Sequence, residues 1–269
     1  MAQFLRLESS LWQTTTLLLS DGGESVAVDP GVTPEEIENV RRRAEELGAP
    51  VRTVLATHSH FDHVCGIGAF PEAQAVMGES TAARLSDGSA ARGLAEAAAE
   101  LDLQWAGELR CDRALAVGRA HRIGPFGAET LALAGHSTCG VGFRFRSLGL
   151  LVLGDHVSAA EFPFVYESTA AYRSTLAGLI DLLRNDPPET VASGHGPLLD
   201  AAQALAIAEA DLDYLHRLRA AVAEALPGGR DAAFAAGLAV EPPRPAWPEF
   251  HDESQRGNVE AQLAELREA

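Results

Sequence analysis

The strongest signal in this chain is one short stretch, His58-Ser59-His60-Phe61-Asp62-His63. Four of these six side chains are of types that bind metal ions. The stretch follows an apolar run, residues 51–56, that predicts a buried strand, so the four side chains lie on a loop at the strand's end. Clustering them there without a ligand would bury several polar groups at a cost, and the pattern therefore predicts a metal site.

Three more residues of the same types follow predicted strands further along the chain. They are His136 in a Gly-His-Ser segment, Asp155 in a Leu-Gly-Asp segment and His195 in a Gly-His-Gly segment. The neighbouring glycines permit close approach of the backbone, which brings loops together around a small site. We therefore expect these three residues to join the cluster that begins at His58.

The order of predicted elements indicates the fold class. Predicted strands fall in two blocks, each followed by helices, which is typical of two packed sheets with helices outside. The predicted helices run over residues 34–48, 90–103, 169–183, 200–225 and 253–267. We expect one domain over residues 1–226, with a proline-rich connector and a last helix, within residues 227–269, packed on it.

Taken as a set, the motifs H-x-H-x-D-H, G-H, G-D and G-H-G make the chain similar to the metallo-β-lactamase-fold hydrolase superfamily over about residues 14–200. The resemblance is to its glyoxalase II-like and β-lactamase-like-protein-2 branch, because no cysteine here matches the ligand of true β-lactamases. It implies an α/β fold, a four-layer αββα sandwich with the metals at one edge. The sequence adds a helical C-terminal extension to that core.

The same resemblance implies a set of ligands for two divalent metal ions. These ligands are His58, His60 and His136 for the first ion, Asp62, His63 and His195 for the second, and Asp155 between the two. Asp29 matches a family position that supports the site from behind. Nitrogen and carboxylate ligands together favour zinc, with manganese and iron as alternatives.

The expected function is hydrolysis of a small-molecule ester, thioester or lactone by a hydroxide that bridges the two metals. Asp155 and Asp62 are the expected catalytic residues, because Asp155 would hold this hydroxide and Asp62 would steer it by a hydrogen bond. The chain contains no lysine. It therefore lacks the lysine contacts that glyoxalase II makes to glutathione, which disfavours an acyl-glutathione substrate.

Two groups of aromatic and histidine side chains are candidates for the pocket wall. One group follows the expected bridging aspartate and comprises Phe162, Phe164 and Tyr166. The other group lies around the proline-rich connector and comprises Trp247, Phe250 and His251. The second group would reach the site only if the connector folds over it.

Charge and cysteine content bear on the expected partners and on the expected compartment. With 21 basic and 38 acidic residues the net charge is −17, which disfavours nucleic acid and anionic membrane surfaces. Three separated cysteines fit a reducing compartment better than a disulfide framework. Because the N-terminus does not read as a signal peptide, we expect a cytoplasmic enzyme with a small-molecule substrate. The sequence leaves a homodimer open.

Other functions fit parts of the pattern. A serine hydrolase would use Ser137, Asp155 and His195 in the α/β-hydrolase order, but Val141–Phe145 alternates like a strand where that enzyme needs a helix. A mononuclear-iron persulfide dioxygenase would share the ligand pattern, and a metal-dependent ribonuclease would share the fold. These last two are the alternatives to the dinuclear hydrolase. A binding module without catalysis accounts least well for so many metal-binding side chains.

Overall fold

The computed structural model describes residues 1–268 of the chain. Eleven strands form two sheets, one of six strands in the order β1-β2-β3-β4-β5-β6 and one of five in the order β11-β10-β9-β8-β7. The strands are β1 (Gln3–Glu8), β2 (Thr15–Asp21), β3 (Glu24–Val28), β4 (Val51–Ala56), β5 (Gln74–Gly78), β6 (Arg113–Leu115), β7 (Ala120–Ile123), β8 (Phe126–Ala132), β9 (Val141–Phe145), β10 (Leu150–Val152) and β11 (Thr190–Ala192).

Eight α-helices flank the sheets in the described part of the chain. They are α1 (Pro34–Glu46), α2 (Phe61–Val64), α3 (Glu79–Ser86), α4 (Ser89–Leu101), α5 (Thr169–Asn185), α6 (Ala201–Ala225), α7 (Arg230–Leu238) and α8 (Pro248–Glu268). The long helix α6 begins with a capping box, in which Asp200 accepts from the backbone N–H of Gln203 and the Gln203 side chain accepts from Asp200. None of the helices of residues 1–268 is both long and apolar enough to cross a membrane.

Strand β2 shows why the sheets stack as layers. Its three leucines are buried, and alternate side chains of a strand point to opposite faces. Leu17 and Leu19 therefore pack between the sheets with Phe143 of the second sheet, while Leu18 packs on the other face in the cluster that holds Ile37 of α1. Because β2 is buried on both faces, its sequence is a continuous apolar run and does not alternate between apolar and polar residues.

The outer face of the second sheet carries the C-terminal helices. Leu151 and Leu153, at β10 and just after it, pack in one cluster with Leu176 of α5, Leu215 of α6 and Val259 of α8. Helices α6 and α8 therefore cover the second sheet as α1 covers the first. The layers are helix, sheet, sheet and helix, which confirms the expected αββα sandwich with C-terminal helices.

Four elements of this fold were not predicted from the sequence: β1, β7, α3 and α7. Strands β1 and β7 lie at the edges of their sheets and are only partly buried, so their apolar patterns are weak. Helices α3 and α7 begin without a side-chain hydrogen bond at the N-cap, and their starts therefore lack the usual signal. The last helix also begins at Pro248, five residues before the predicted start.

The topology brings four loops to one edge of the sandwich. His58 follows β4 in the first sheet, whereas His136, Asp155 and His195 follow β8, β10 and β11 in the second. Strands β8 and β10 both run antiparallel to β9, and β11 runs parallel to β10, so all three end at the same edge. Backbone bonds join these loops, since the N–H of Gly194 donates to the carbonyl of Gly154 at 2.6 Å.

Candidate metal centre

Four donor residues form the first group at this edge. Single ligand atoms of His58, His60, His136 and Asp155 all lie within 4.8 Å of one another. The Nε2 atom of His136 is 3.1 Å from Oδ2 of Asp155 and 3.0 Å from Nδ1 of His60. The Nε2 atom of His58 is 3.5 Å from the same aspartate oxygen. Three imidazoles and one carboxylate thus converge on one point.

A second group lies directly beside the first. Ligand atoms of Asp62, His63 and His195 lie within 4.8 Å of one another. The Oδ2 atom of Asp62 is 3.2 Å from Nε2 of His63 and 3.4 Å from Nε2 of His195. Asp155 also faces this group, with Oδ1 at 3.2 Å from Nε2 of His63. Asp155 therefore stands between two sets of nitrogen donors.

Contacts behind the rings set their orientation. The outer nitrogen of His63 is 2.9 Å from the carboxylate of Asp29, which also accepts from the backbone N–H of Thr57 at 2.9 Å. The Nδ1 atoms of His136 and His195 each lie 2.9 Å from a backbone carbonyl, of Phe164 and Trp12 respectively. When Nδ1–H donates outward, the Nε2 lone pair faces the centre, which is the form that binds a metal.

Two glycines allow the loops to approach this closely. A side chain at Gly194 would place its Cβ 2.0 Å from an oxygen of Asp155. Gly135, with φ +115, lies so near Tyr172 that an added Cβ would meet its backbone at 2.3 Å. The glycines of the G-H and G-H-G motifs therefore make room for the donors themselves and for the helix behind them.

The charges of the two groups differ. Burial and the neighbouring rings lower the pKa of His58 and His60. Burial would also lower the pKa of His195, but the carboxylates of Asp155, Glu161 and Asp62 outweigh it and raise that pKa to about 10. In the metal-free protein the histidines of the second group are therefore protonated more readily than those of the first. A metal that binds there must displace these protons.

The residues present fit bound divalent ions. The Nε2 atoms of His58 and His63 and the Oδ1 atom of Asp155 are buried and have no hydrogen-bond partner among the described residues. Buried polar atoms without a partner are costly, and a cation between them satisfies all three. The donor set of imidazoles and carboxylates is the one that zinc, iron and manganese accept. This edge of the sandwich is therefore a divalent metal site.

All seven residues that the sequence motifs single out meet in this one centre, and Asp29 lies behind it as expected. The arrangement of a serine hydrolase is absent from the described residues. Ser137 contacts the sulfur of Cys139 at 3.7 Å, whereas both ring nitrogens of His195 are directed at Trp12, Asp62 and Asp155. Ser137 therefore has no base to activate it.

A cavity of about 390 Å³ opens onto the donors. Trp247 and Phe250 line it, so the connector does fold over the site. The indole of Trp247 is 5.5 Å from the ring of His195, and Phe250 packs on Trp12 at 5.2 Å. His251 does not reach the cavity but packs against Phe162 at 5.3 Å. Of the other aromatic group, Phe164 and Tyr166 line the cavity and Phe162 belongs to the core.

Two functional candidates were missed in the sequence. Glu161 is 4% exposed, lines the cavity, and has a carboxylate oxygen within 4.8 Å of ligand atoms of Asp155 and His195. Burial raises the pKa of Glu161 to about 7. Arg84, on the unpredicted helix α3, lines the same cavity. Neither residue belongs to a sequence motif. Both lie near the donor residues only in the folded structure, so the sequence alone does not identify them.

Two residues near the motifs have supporting contacts. The thiol of Cys139 lies 3.2 Å from the hydroxyl of Ser59. Ser59 stands between two candidate ligands in the sequence, His58 and His60. His156, next to Asp155, packs its ring on Tyr172 at 4.5 Å and faces away from the donors toward the carbonyl of Ala134. Both therefore pack around the centre instead of entering it.

Known proteins resemble this chain in sequence and in fold. A model of the metallo-beta-lactamase superfamily matches residues 10–195. A hydroxyacylglutathione hydrolase of Cereibacter sphaeroides is 30% identical over 211 residues, covering 77% of this chain and 71% of the relative. A probable metallo-hydrolase of Bacillus subtilis is 27% identical over 202 residues, covering 70% and 87%. The crystal structure of a metallo-beta-lactamase family protein from Thermus thermophilus superposes with a TM-score of 0.71, at 21% identity, over 98% of this chain and 93% of that one.

Proposed function

The chain belongs to the metallo-beta-lactamase superfamily, and from that premise we propose that it is a dinuclear-metal hydrolase of a small-molecule ester, thioester or lactone. The seven converging donors carry the proposal, above all the carboxylate of Asp155, which faces both groups. His58, His60 and His136 would hold the first ion, Asp62, His63 and His195 would hold the second, and Asp155 would contribute to both. Two bound ions supply Lewis acidity and a water that is deprotonated near neutral pH.

The reaction adds one water across the scissile bond. A water oxygen bonds to the carbonyl carbon, and the carbon–sulfur or carbon–oxygen bond breaks. The acyl part leaves as a carboxylic acid, and the thiol or alcohol takes the remaining proton. Asp62 lies at the second group with its side chain buried and accepts a hydrogen bond from the attacking water, which orients that water toward the carbonyl.

The cavity selects the substrate by shape and chemistry. Its aromatic wall of Trp12, Phe61, Trp247 and Phe250 excludes water from one side of the site and provides an apolar surface. A volume of about 390 Å³ suits a small molecule and is too small for a folded partner or a duplex. Relatives named hydroxyacylglutathione hydrolase support a thioester among the candidates, although the absence of lysine disfavours glutathione itself as the thiol part.

Metal loading combined with a substrate panel tests the proposal. Metal-free protein is reconstituted with zinc, manganese or iron and assayed against a small ester, a lactone, a simple thioester and a hydroxyacylglutathione. We expect hydrolysis of at least one ester, thioester or lactone that chelation abolishes and metal restores. Hydrolysis that survives complete removal of metal would refute it, as would oxygen uptake with a thiol substrate at one iron per chain.

A further inference from the structure

Arg84 is the one arginine among the residues that line the cavity at the metal site. It lies on α3, and its half-buried side chain extends to the loop that carries the first candidate ligands. There its Nε–H donates to the hydroxyl of Ser59 at 3.0 Å. Because Ser59 stands between His58 and His60 in the chain, the guanidinium is held beside the reacting centre.

Within the described residues the guanidinium of Arg84 has no direct carboxylate partner, although the charge of Asp87 at the end of the same helix interacts with it. No carboxylate of residues 1–267 forms an ion pair with Arg84, whereas Arg41, Arg146 and Arg244 each contact one. Glu96 and Glu100 of α4 line the same cavity but form no ion pair with Arg84. What distinguishes Arg84 from the other arginines is its place, because it borders the substrate space.

The geometry leaves the outer fork of the guanidinium available. Its Nε–H donates to Ser59, and the two terminal nitrogens make no hydrogen bond to residues 1–267 of the chain. The terminal N–H donors of a guanidinium lie in one plane and match the two oxygens of a carboxylate. The resulting pair of hydrogen bonds is charge-assisted and fixes the orientation of the carboxylate. The bond to Ser59 orders the side chain beforehand and lowers the entropy lost on binding.

We propose that Arg84 is a specificity-determining residue that binds a carboxylate of the substrate, so that the preferred esters or thioesters carry an anionic group besides the scissile bond. The inference rests on the proposed hydrolase function and narrows its substrate class. The aromatic wall of the same cavity supplies the second selection, for an apolar part of the same molecule. A purely positioning role for Arg84, through Ser59, is the alternative that the experiment must separate.

The catalytic test uses two matched pairs of substrates. The first pair places the charge on the acyl part: an S-phenyl half-thioester of adipic acid and the corresponding half-amide. The second pair places it on the leaving group: the acetyl thioesters of 3-mercaptopropionate and of 3-mercaptopropionamide. The ratio of kcat/KM for the acid over the amide is measured in the metal-loaded wild-type protein and in Arg84→Gln, Arg84→Lys and Ser59→Ala.

We expect the wild-type ratio to favour the acid of at least one pair, and Arg84→Gln to reduce that ratio about tenfold to a hundredfold, through KM. Arg84→Lys should retain part of it, because the charge remains without the fork. Ser59→Ala should keep most of the preference, since the charge stays. Equal losses on acid and amide in Arg84→Gln and Ser59→Ala would mean that Arg84 only positions the loop, which overturns the proposal.

A binding measurement separates this inference from the proposed function. Calorimetric titration of the metal-loaded protein compares dicarboxylates from succinate to suberate with their half-amides, in the wild-type protein and in Arg84→Gln. Arg122→Gln is the control, because Arg122 is an exposed arginine on β7 outside the cavity. We expect one dicarboxylate to bind about tenfold more tightly than its half-amide, and only Arg84→Gln to remove the difference. No preference at any length, or a preference that survives in Arg84→Gln, overturns the inference even if no substrate is hydrolysed.

Discussion

Two regions border the same cavity and are built differently. The loops between His58 and His195 carry all seven metal-binding donors and lie within the part of the chain that matches the superfamily. The C-terminal segment, which begins at α6, carries none of these donors but contributes Trp247 and Phe250 to the wall. On the proposed function, the first region would determine which reaction is available, and the second would help to determine which molecules reach it.

Beyond the apolar cluster under α6 and α8, long-range polar contacts hold the connector of the second region in place. Arg244, on the connector, forms an ion pair with Asp211 of α6 at 2.6 Å and donates from Nε to the carbonyl of Glu161, also at 2.6 Å. The indole N–H of Trp12 donates to Glu249 at 3.3 Å. These contacts tie the connector to both the C-terminal helices and the loop after Asp155. A change in them is therefore expected to alter substrate fit and stability while leaving the metal donors in place.

The largest effect is expected in the first region, at Asp155. Asp155→Asn removes the negative charge that faces both groups of donors, and we expect kcat/KM to fall about a thousandfold or more because both ions are held less well. Metal content per chain, measured together with kcat/KM, should fall as well. Asp181→Asn, at an exposed position of α5, is the matched control and should change neither quantity. Full metal content and activity in Asp155→Asn would contradict the assigned role.

The next effect concerns the contact that anchors the second region. Arg244→Met leaves the carboxylate of Asp211, which is 1% exposed, buried without its partner. We expect a loss of about 3–5 kcal/mol in the free energy of unfolding, measured with urea. Arg244→Met combined with Asp211→Leu should recover much of this loss, since no charge is then buried alone. If the single variant unfolds like the wild type, the connector is not anchored by this pair.

A smaller and more selective effect is expected at the cavity wall. Trp247→Ala removes the indole that packs against His195, and we expect KM for a substrate with an aromatic part to rise about tenfold. Metal content should stay unchanged, because Trp247 donates no ligand atom. Trp247→Phe keeps an aromatic surface and should retain most of the affinity. A loss of metal in Trp247→Ala would show that the two regions are not separable in function.

The last expected effect is a pH dependence that only the metal-free protein shows. The folded pKa of His195 is about 10 and that of His63 is also raised, both through nearby carboxylates that outweigh burial. The unfolded histidines lose their protons near pH 6.5 while the folded ones keep them, so stability falls as the pH rises from about 6.5 toward 10. In the presence of chelator we expect the free energy of unfolding to fall across this window. A melting temperature that is flat or rises over it would contradict the assignment.

The two regions also differ in how far the sequence predicts them. The donors cluster locally or follow recognisable strands beside glycines, so the motifs alone predict which side chains meet. Arg84 and Glu161 carry no such signal, since Arg84 lies on a helix without a side-chain N-cap and Glu161 is one acidic residue in a loop. Whether Trp247 or His251 faces the cavity depends on how the connector crosses α6, which is settled by contacts distant in the chain, such as that of Arg244 with Asp211.

A titration of the metal-free protein with zinc, followed by both turnover of a hydrolysable thioester or ester and bound metal per chain, tests the central proposal most directly. The account predicts that hydrolysis reaches its maximum at two equivalents of metal per chain and disappears with chelator. Maximum activity at one equivalent, or hydrolysis by protein that contains no metal, would contradict a dinuclear centre built on Asp155.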